Sequence, residues 1–122
     1  MGLTHVTVEV FALAGKRSFS SEFLVDTGAI DCLAPAKLMR KIGIKPTRKE
    51  TYELADGSSV ELPVGFARIR FMGDETVTKM VFGADDVEPI LGVVALESTG
   101  IGVDPVTRTL RRMSAKPMKR AR

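Results

Sequence analysis

The sequence predicts an all-β domain with one or two short helices, and three observations carry that prediction. Apolar and polar residues alternate near the N-terminus, turn dipeptides recur between runs rich in β-branched and aromatic residues, and only two stretches combine helical spacing with helix punctuation. A chain of 122 residues that is 44% hydrophobic builds one core and leaves no room for a second domain.

Val6, Val8 and Val10 point one way and Thr7 and Glu9 the other, with Leu13 continuing the apolar set. This is the period-2 pattern of a half-buried strand. Ala14-Gly15-Lys16-Arg17 is a polar turn and Phe19 to Val25 resumes extended patterning, so residues 4 to 25 read as a hairpin running into Asp26-Thr27-Gly28. Pro35 suits a first helical turn, Leu38, Met39 and Ile42 share one face, and Gly43 is a left-handed stop, which places a helix over 35–42. Thr51 to Leu54 and Ser59 to Leu62 flank Asp56-Gly57, a dipeptide that adopts positive φ at low cost and closes a hairpin expected to project from the body. Val64 to Phe71 and Thr76 to Phe82 form two core strands about the turn at Gly73-Asp74. After an acidic turn from Ala84 to Glu88, Pro89-Ile90-Leu91-Gly92 leads into a short helix from Val93 to Thr99. Ile101 to Val103 and Thr107 to Leu110 then close a last hairpin about Asp104-Pro105.

The formal charge of +3 conceals an asymmetry. Residues 111–122 hold six basic residues and no acid, while residues 1–110 hold twelve basic against fifteen acidic, a net −3. The expected division is a folded domain over 1–110 and a basic, solvated, mobile tail over 111–122. No aromatic residue interleaves the tail's charges, so nucleic acid is not an expected partner. No apolar run approaches the ~20 residues that cross a bilayer, and the N-terminus lacks the basic start and apolar stretch of a secretory signal. A cytoplasmic location with no membrane partner is expected. Cys32 and His5 are the only residues of their kinds, which excludes an intrachain disulfide and a Cys/His zinc site within one chain. No metal or cofactor is expected.

Asp26 needs an explanation, because it follows an apolar strand directly. Gly28 lets the backbone pass tightly beside it, and Thr27 offers a short hydroxyl that can bond a neighbouring backbone. A single carboxylate supplies only half of what amide hydrolysis needs, a base to activate water and an acid to protonate the developing oxyanion or amine. Two carboxyls about 3 Å apart share one proton and supply both. The chain holds one Asp-Thr-Gly, and its nearest echo, Ser98-Thr99-Gly100, has no acid. A two-fold dimer that pairs Asp26 with its own copy is the economical source of the second carboxyl.

Several motifs in order resemble the retropepsin-like aspartic proteases, single-domain homodimeric relatives of the pepsins. Leu24-Val25-Asp26-Thr27-Gly28-Ala29 resembles their catalytic loop, Tyr52 to Leu62 lies where their flap hairpin lies, and Ile90-Leu91-Gly92 resembles the element that supports the loop. Ile101 to Leu110 is similar to the closing strands of non-viral members. The resemblance covers residues 4 to 112 and implies a closed, barrel-like acid-protease half fold with a flap hairpin. It implies a homodimeric aspartic endopeptidase acting on an extended peptide or protein substrate.

Roles follow by the same resemblance. Asp26 acts as general base and acid with its symmetry mate, Thr27 hydrogen-bonds across the dimer axis, and Gly28 presents its carbonyl to the substrate. Ala29 and Asp31 lie along the substrate, and the flap tip of Ala55, Asp56, Gly57 and Ser58 covers it. Ala29 stands where many pepsins carry a serine, which implies a pH optimum nearer neutrality. Two departures keep a second reading open, a catalytically inactive dimeric peptide-binding module on the same fold. Ile30 stands where viral members usually have an acid, and Asp56-Gly57-Ser58 is less glycine-rich than a viral flap.

Other polar features take plainer readings. Cys32 packs as a small apolar residue rather than serving as a nucleophile with His5. Asp85, Asp86 and Glu88 form a surface acidic turn, and Tyr52 is a structural residue near the hairpin base.

Overall fold

The N-terminal alternation becomes strand β1 (His5–Phe11) in the computed structural model, which describes residues 4–121. Val8 and Val10 are fully buried while Thr7 and Glu9 face outward. Burying each such valine contributes roughly 1.5–3 kcal/mol, enough to fix the register of the strand. Leu13 does not continue the set. The strand ends at Phe11 and the chain bends, leaving Leu13 57% exposed. Strand β2 (Ser18–Val25) returns antiparallel, with Val8 opposite Ser21 and His5 opposite Leu24.

The next strand is β3 (Cys32–Pro35). Helix α1 (Ala36–Lys41) follows with Pro35 as its N-cap residue rather than its first turn, and Gly43 takes φ +91° while the Ile44 amide donates to Met39 O at 3.0 Å. Two long strands dominate the middle of the chain, β5 (Ser59–Phe71) and β6 (Asp74–Gly83), with β4 (Arg48–Glu53) paired to the first half of β5. The sequence reading divides β5 at Pro63, yet the strand is continuous. The Val64 carbonyl accepts from Thr47 N–H at 2.8 Å, so the polar groups of Val64 face β4 and Pro63 turns its missing donor to the opposite side. On that side the ladder to β6 begins only at Val64, and Pro63 interrupts nothing.

Strand β7 (Ile90–Leu91), helix α2 (Val93–Thr99), strand β8 (Ile101–Val103) and strand β9 (Leu110–Arg112) complete the order. Seven strands form one sheet in the order β1-β2-β7-β3-β6-β5-β4, and an added β1–β5 pairing closes it into a ring. Phe23, Cys32, Met39, Ile69, Met80 and Leu91 fill the core. Strand β4 ends the order and, among the described residues, pairs only with β5.

The last hairpin is shifted from its expected position. Asp104 Oδ1 accepts from Val106 N–H at 2.9 Å and Thr107 N–H at 3.2 Å, and Asp104 N–H donates to Thr109 O at 2.8 Å. That turn consumes residues 105–109, so the second arm is 110–112 instead of 107–110. Arg111 and Arg112, assigned above to the tail, therefore belong to β9, and Arg112 also bonds Met72 O and pairs with Asp74. Further on, the Met113 amide donates to Gly100 O at 2.8 Å and Lys116 Nζ to Ser98 O at 2.8 Å. No helix among the described residues is long and apolar enough to cross a membrane.

Candidate active site

The loop of residues 26–31 is placed by the strands that bracket it. Leu24 and Val25 of β2 pair in parallel with Ile90 and Leu91 of β7, and Leu33 of β3 pairs antiparallel with Ile90. Strand β7 thus sits between the strand that delivers the loop and the strand that takes it away. At the point of departure, Asp26 N–H donates to Leu91 O at 3.1 Å and Val25 N–H to Thr4 O at 2.8 Å.

Within the loop, Gly28 N–H donates to Asp26 Oδ1 at 2.9 Å and Ala29 N–H to Asp26 O at 3.1 Å. The aspartate is half-buried, Thr27 and Gly28 are exposed, and a Cβ on Gly28 would lie 3.2 Å from Asp26 Oδ1. Among the described residues, Asp26 Oδ2 and the Thr27 hydroxyl have no hydrogen-bond partner. The far side of the loop rests on α2, where Val93 N–H donates to Ala29 O at 2.8 Å and Val94 N–H to Ile30 O at 3.3 Å. Gly92 is required by this approach, since a Cβ there would lie 2.6 Å from both Ile30 O and Asp31 O. Its amide donates to Cys32 Sγ at 3.4 Å. Cys32 is buried, and desolvation raises its thiol pKa to about 11. His5 is not its partner and meets Glu88 at 3.1 Å instead.

Asp31 faces the β4–β5 hairpin. Its Oδ2 accepts from Tyr52 OH at 2.7 Å and lies 4.0 Å from Lys79 Nζ, which itself reaches Glu50 Oε2 at 2.8 Å. Arg48 also holds Glu50 at 2.7 Å. Lys79 and then Arg48 keep the Glu50 carboxyl below its ordinary range, while desolvation and then the Asp31 carboxylate keep the Tyr52 phenol protonated well above its own. At the hairpin's far end the Leu54 amide donates to Ser58 O at 2.8 Å, Gly57 takes φ +87°, and Asp56 Oδ1 accepts from Ser58 N–H at 2.9 Å. Ala55, Asp56, Gly57 and Ser58 are all exposed. Among the described residues, no group of three His, Cys, Asp or Glu is arranged to hold a metal ion.

The family pattern described as aspartyl protease matches residues 6–95, a span that runs from β1 through the Asp26 loop and the hairpin to α2. The chain belongs to the aspartyl protease family. Among solved structures, the EIAV protease complexed with the inhibitor HBY-793 is similar with a TM-score of 0.61 at 22% identity. The match covers 81% of this chain and 89% of that one, which identifies the fold as retropepsin-like. No curated protein matches.

This member of the aspartyl protease family brings Asp26, Thr27, Gly28, Ala29 and Asp31 onto one pinned loop and sets Ala55 to Ser58 at the end of a separate hairpin. The sequence reading did not single out Lys79, Glu50 or Arg48. Nothing marks them, because charged residues on β4 and β6 read in sequence as ordinary solvated positions. Only the fold shows that Lys79 joins Tyr52 at Asp31 and that Glu50 and Arg48 continue the chain of charges behind it.

Proposed function

We propose that the chain is an aspartic endopeptidase that works as a homodimer, with the carboxyls of two Asp26 residues forming the catalytic dyad. The observation that carries this reading is Asp26 itself, with Oδ1 fixed by the Gly28 amide and Oδ2 unpartnered on a loop whose Thr27 hydroxyl is also free among the described residues. A lone carboxylate held this way is half of a two-acid site. A second copy related by two-fold symmetry supplies the other half and gives the Thr27 hydroxyl a partner.

In the assembled site one carboxylate takes a proton from water as the water oxygen attacks the peptide carbonyl carbon. The other carboxyl gives its proton to the carbonyl oxygen, producing a tetrahedral diol. The newly protonated acid then protonates the amide nitrogen while the other takes back a diol proton. The C–N bond breaks and the starting protonation is restored. Gly28, Ala29 and Asp31 run beside the bound strand, and the exposed tip from Ala55 to Ser58 closes over it and excludes water. The main chain of an extended peptide supplies most of the recognition.

Cleavage of an unfolded protein substrate, measured against enzyme concentration, tests both halves of the reading. The rate should fall faster than linearly below the dimer dissociation constant. Asp26→Asn should abolish cleavage and leave the circular dichroism spectrum unchanged. A strictly monomeric chain that cleaves in proportion to its concentration removes the dimeric mechanism. A dimer that captures peptide and cleaves nothing in either form establishes the binding-module alternative.

A further inference from the structure

The hairpin that would cover the substrate has little of its own to hold it in place. Residues 53 to 59 are all exposed, and among the described residues their hydrogen bonds stay within the hairpin: Leu54 to Ser58, Gly57 to Leu54, and Ser58 to Asp56. One arm, β4, lies at the end of the sheet order and has a single neighbour among the described residues. A two-stranded arm with no buried face is marginal by itself. The position of the tip therefore depends on what secures the hairpin's foot.

Tyr52 is the last residue of β4 before that exposed segment to reach back to the body. Its hydroxyl donates to Asp31 Oδ2 at 2.7 Å, and Asp31 belongs to the same pinned loop as Asp26. The Asp31 side chain is only 11% exposed, and Lys79 stands 4.0 Å away with its ammonium shared toward Glu50 two residues before Tyr52 on β4. Asp31 is thus held from behind by the Ala29 and Ile30 carbonyl bonds to α2 and occupied in front by Tyr52. A carboxylate so engaged is a poor ligand for a substrate side chain and a good anchor.

The geometry points to Tyr52 and Asp31 as a latch that sets the height of the hairpin over the catalytic loop, with Lys79 and Glu50 as its second tie. Both are positioning residues. Their effect on catalysis rests on the peptidase reading, but their effect on the hairpin does not. The phenol keeps its proton to high pH, so it remains a donor throughout the range in which a protease of this kind would work. A hydrogen bond to a charged acceptor is worth more than a neutral one, and here it joins two segments that share no backbone ladder.

Amide hydrogen exchange of Arg48 to Leu62 in the substrate-free protein is the direct test. Tyr52→Phe keeps the ring and removes the donor, and it should raise exchange in β4 about three- to tenfold while leaving β1 and β2 at wild-type rates. Asp31→Ala removes the same bond and the Lys79 contact as well, so it should raise exchange at least as much, and the double variant should be no worse than Asp31→Ala alone. Asp31→Asn retains an acceptor but loses its charge, so its exchange should fall between wild type and Asp31→Ala. On a peptide substrate, Tyr52→Phe should lower kcat/KM mainly through a raised KM. Unchanged exchange in Tyr52→Phe, or additive effects in the double variant, overturns the latch. Faster hairpin exchange in a protein that cleaves no peptide in any form leaves the latch standing and removes the peptidase reading instead.

Discussion

The Asp26 amide donates to the Leu91 carbonyl at 3.1 Å, so the aspartate leaves the sheet on a bond to the short strand that separates β2 from β3. The position of the acid is therefore a property of the packed core under β7 rather than of its own tripeptide. Leu91 is fully buried there. Leu91→Ala should cost about 2–5 kcal/mol, the range for emptying a packed leucine site. Urea unfolding measures it, and a loss below about 1 kcal/mol would show that the loop is supported from elsewhere.

Gly92 gives a sharper comparison. A methyl group there would lie 2.6 Å from two backbone oxygens, whereas one at Gly102 meets nothing within 4 Å and needs no unusual φ. Backbone cannot step aside as a flexible side chain can. Gly92→Ala should therefore destabilise by about 2 kcal/mol or more and displace the 26–31 loop, while Gly102→Ala should stay within about 0.5 kcal/mol of wild type. Thermal unfolding of the pair, run side by side, distinguishes this local clash from a general dislike of alanine.

These relationships also explain what could be read from the sequence. The β1 pattern was legible because one face of the strand is buried and the other solvated, so Val8 and Val10 alternate visibly with Thr7 and Glu9. Strand β3 was not, because Cys32 and Ala34 are both fully buried and Leu33 is half-buried, leaving no alternation over four residues. Pro63 misled for a local reason, its missing donor falling where no ladder bond is due. At the site, Asp26-Thr27-Gly28 and Ile90-Leu91-Gly92 were legible as short motifs. The meeting of Tyr52 and Lys79 at Asp31, with Glu50 holding Lys79, was not, since it depends on β4 and β6 coming to the 26–31 loop and on no spacing within any one of them.

The turn at Asp104 should be sensitive to acid. The amides of Thr107 and then Val106 hold its carboxyl below the ordinary range, so folding favours the ionised form. That contribution is complete above the unfolded carboxylate pKa of about 3.9 and is lost as pH falls through the lower native value. The amide resonances of Val106 and Thr107 should shift together over that acidic range. Asp104→Ala should abolish the shift and loosen the β8–β9 hairpin at every pH. Shifts that persist in the variant would assign the titration to another group.

Cys32 makes the opposite prediction at alkaline pH. Burial raises its thiol from an ordinary value near 9.0 to about 11, against a smaller opposing effect of the Gly92 amide. In the unfolded chain the thiol loses its proton near 9, whereas the folded chain keeps it until about 11. Between those values unfolding releases a proton, so the contribution of the buried thiol to stability is complete below pH 9 and is lost as pH rises through the native value. The stability difference between wild type and Cys32→Ala should therefore shrink steadily from pH 8.5 to about pH 11, with other alkaline titrations cancelling in the subtraction. A thiol reagent at pH 8 should leave the native protein unmodified and label it fully in denaturant. Rapid labelling of the native state would mean that the core under the Asp26 loop opens far more readily than its packing implies.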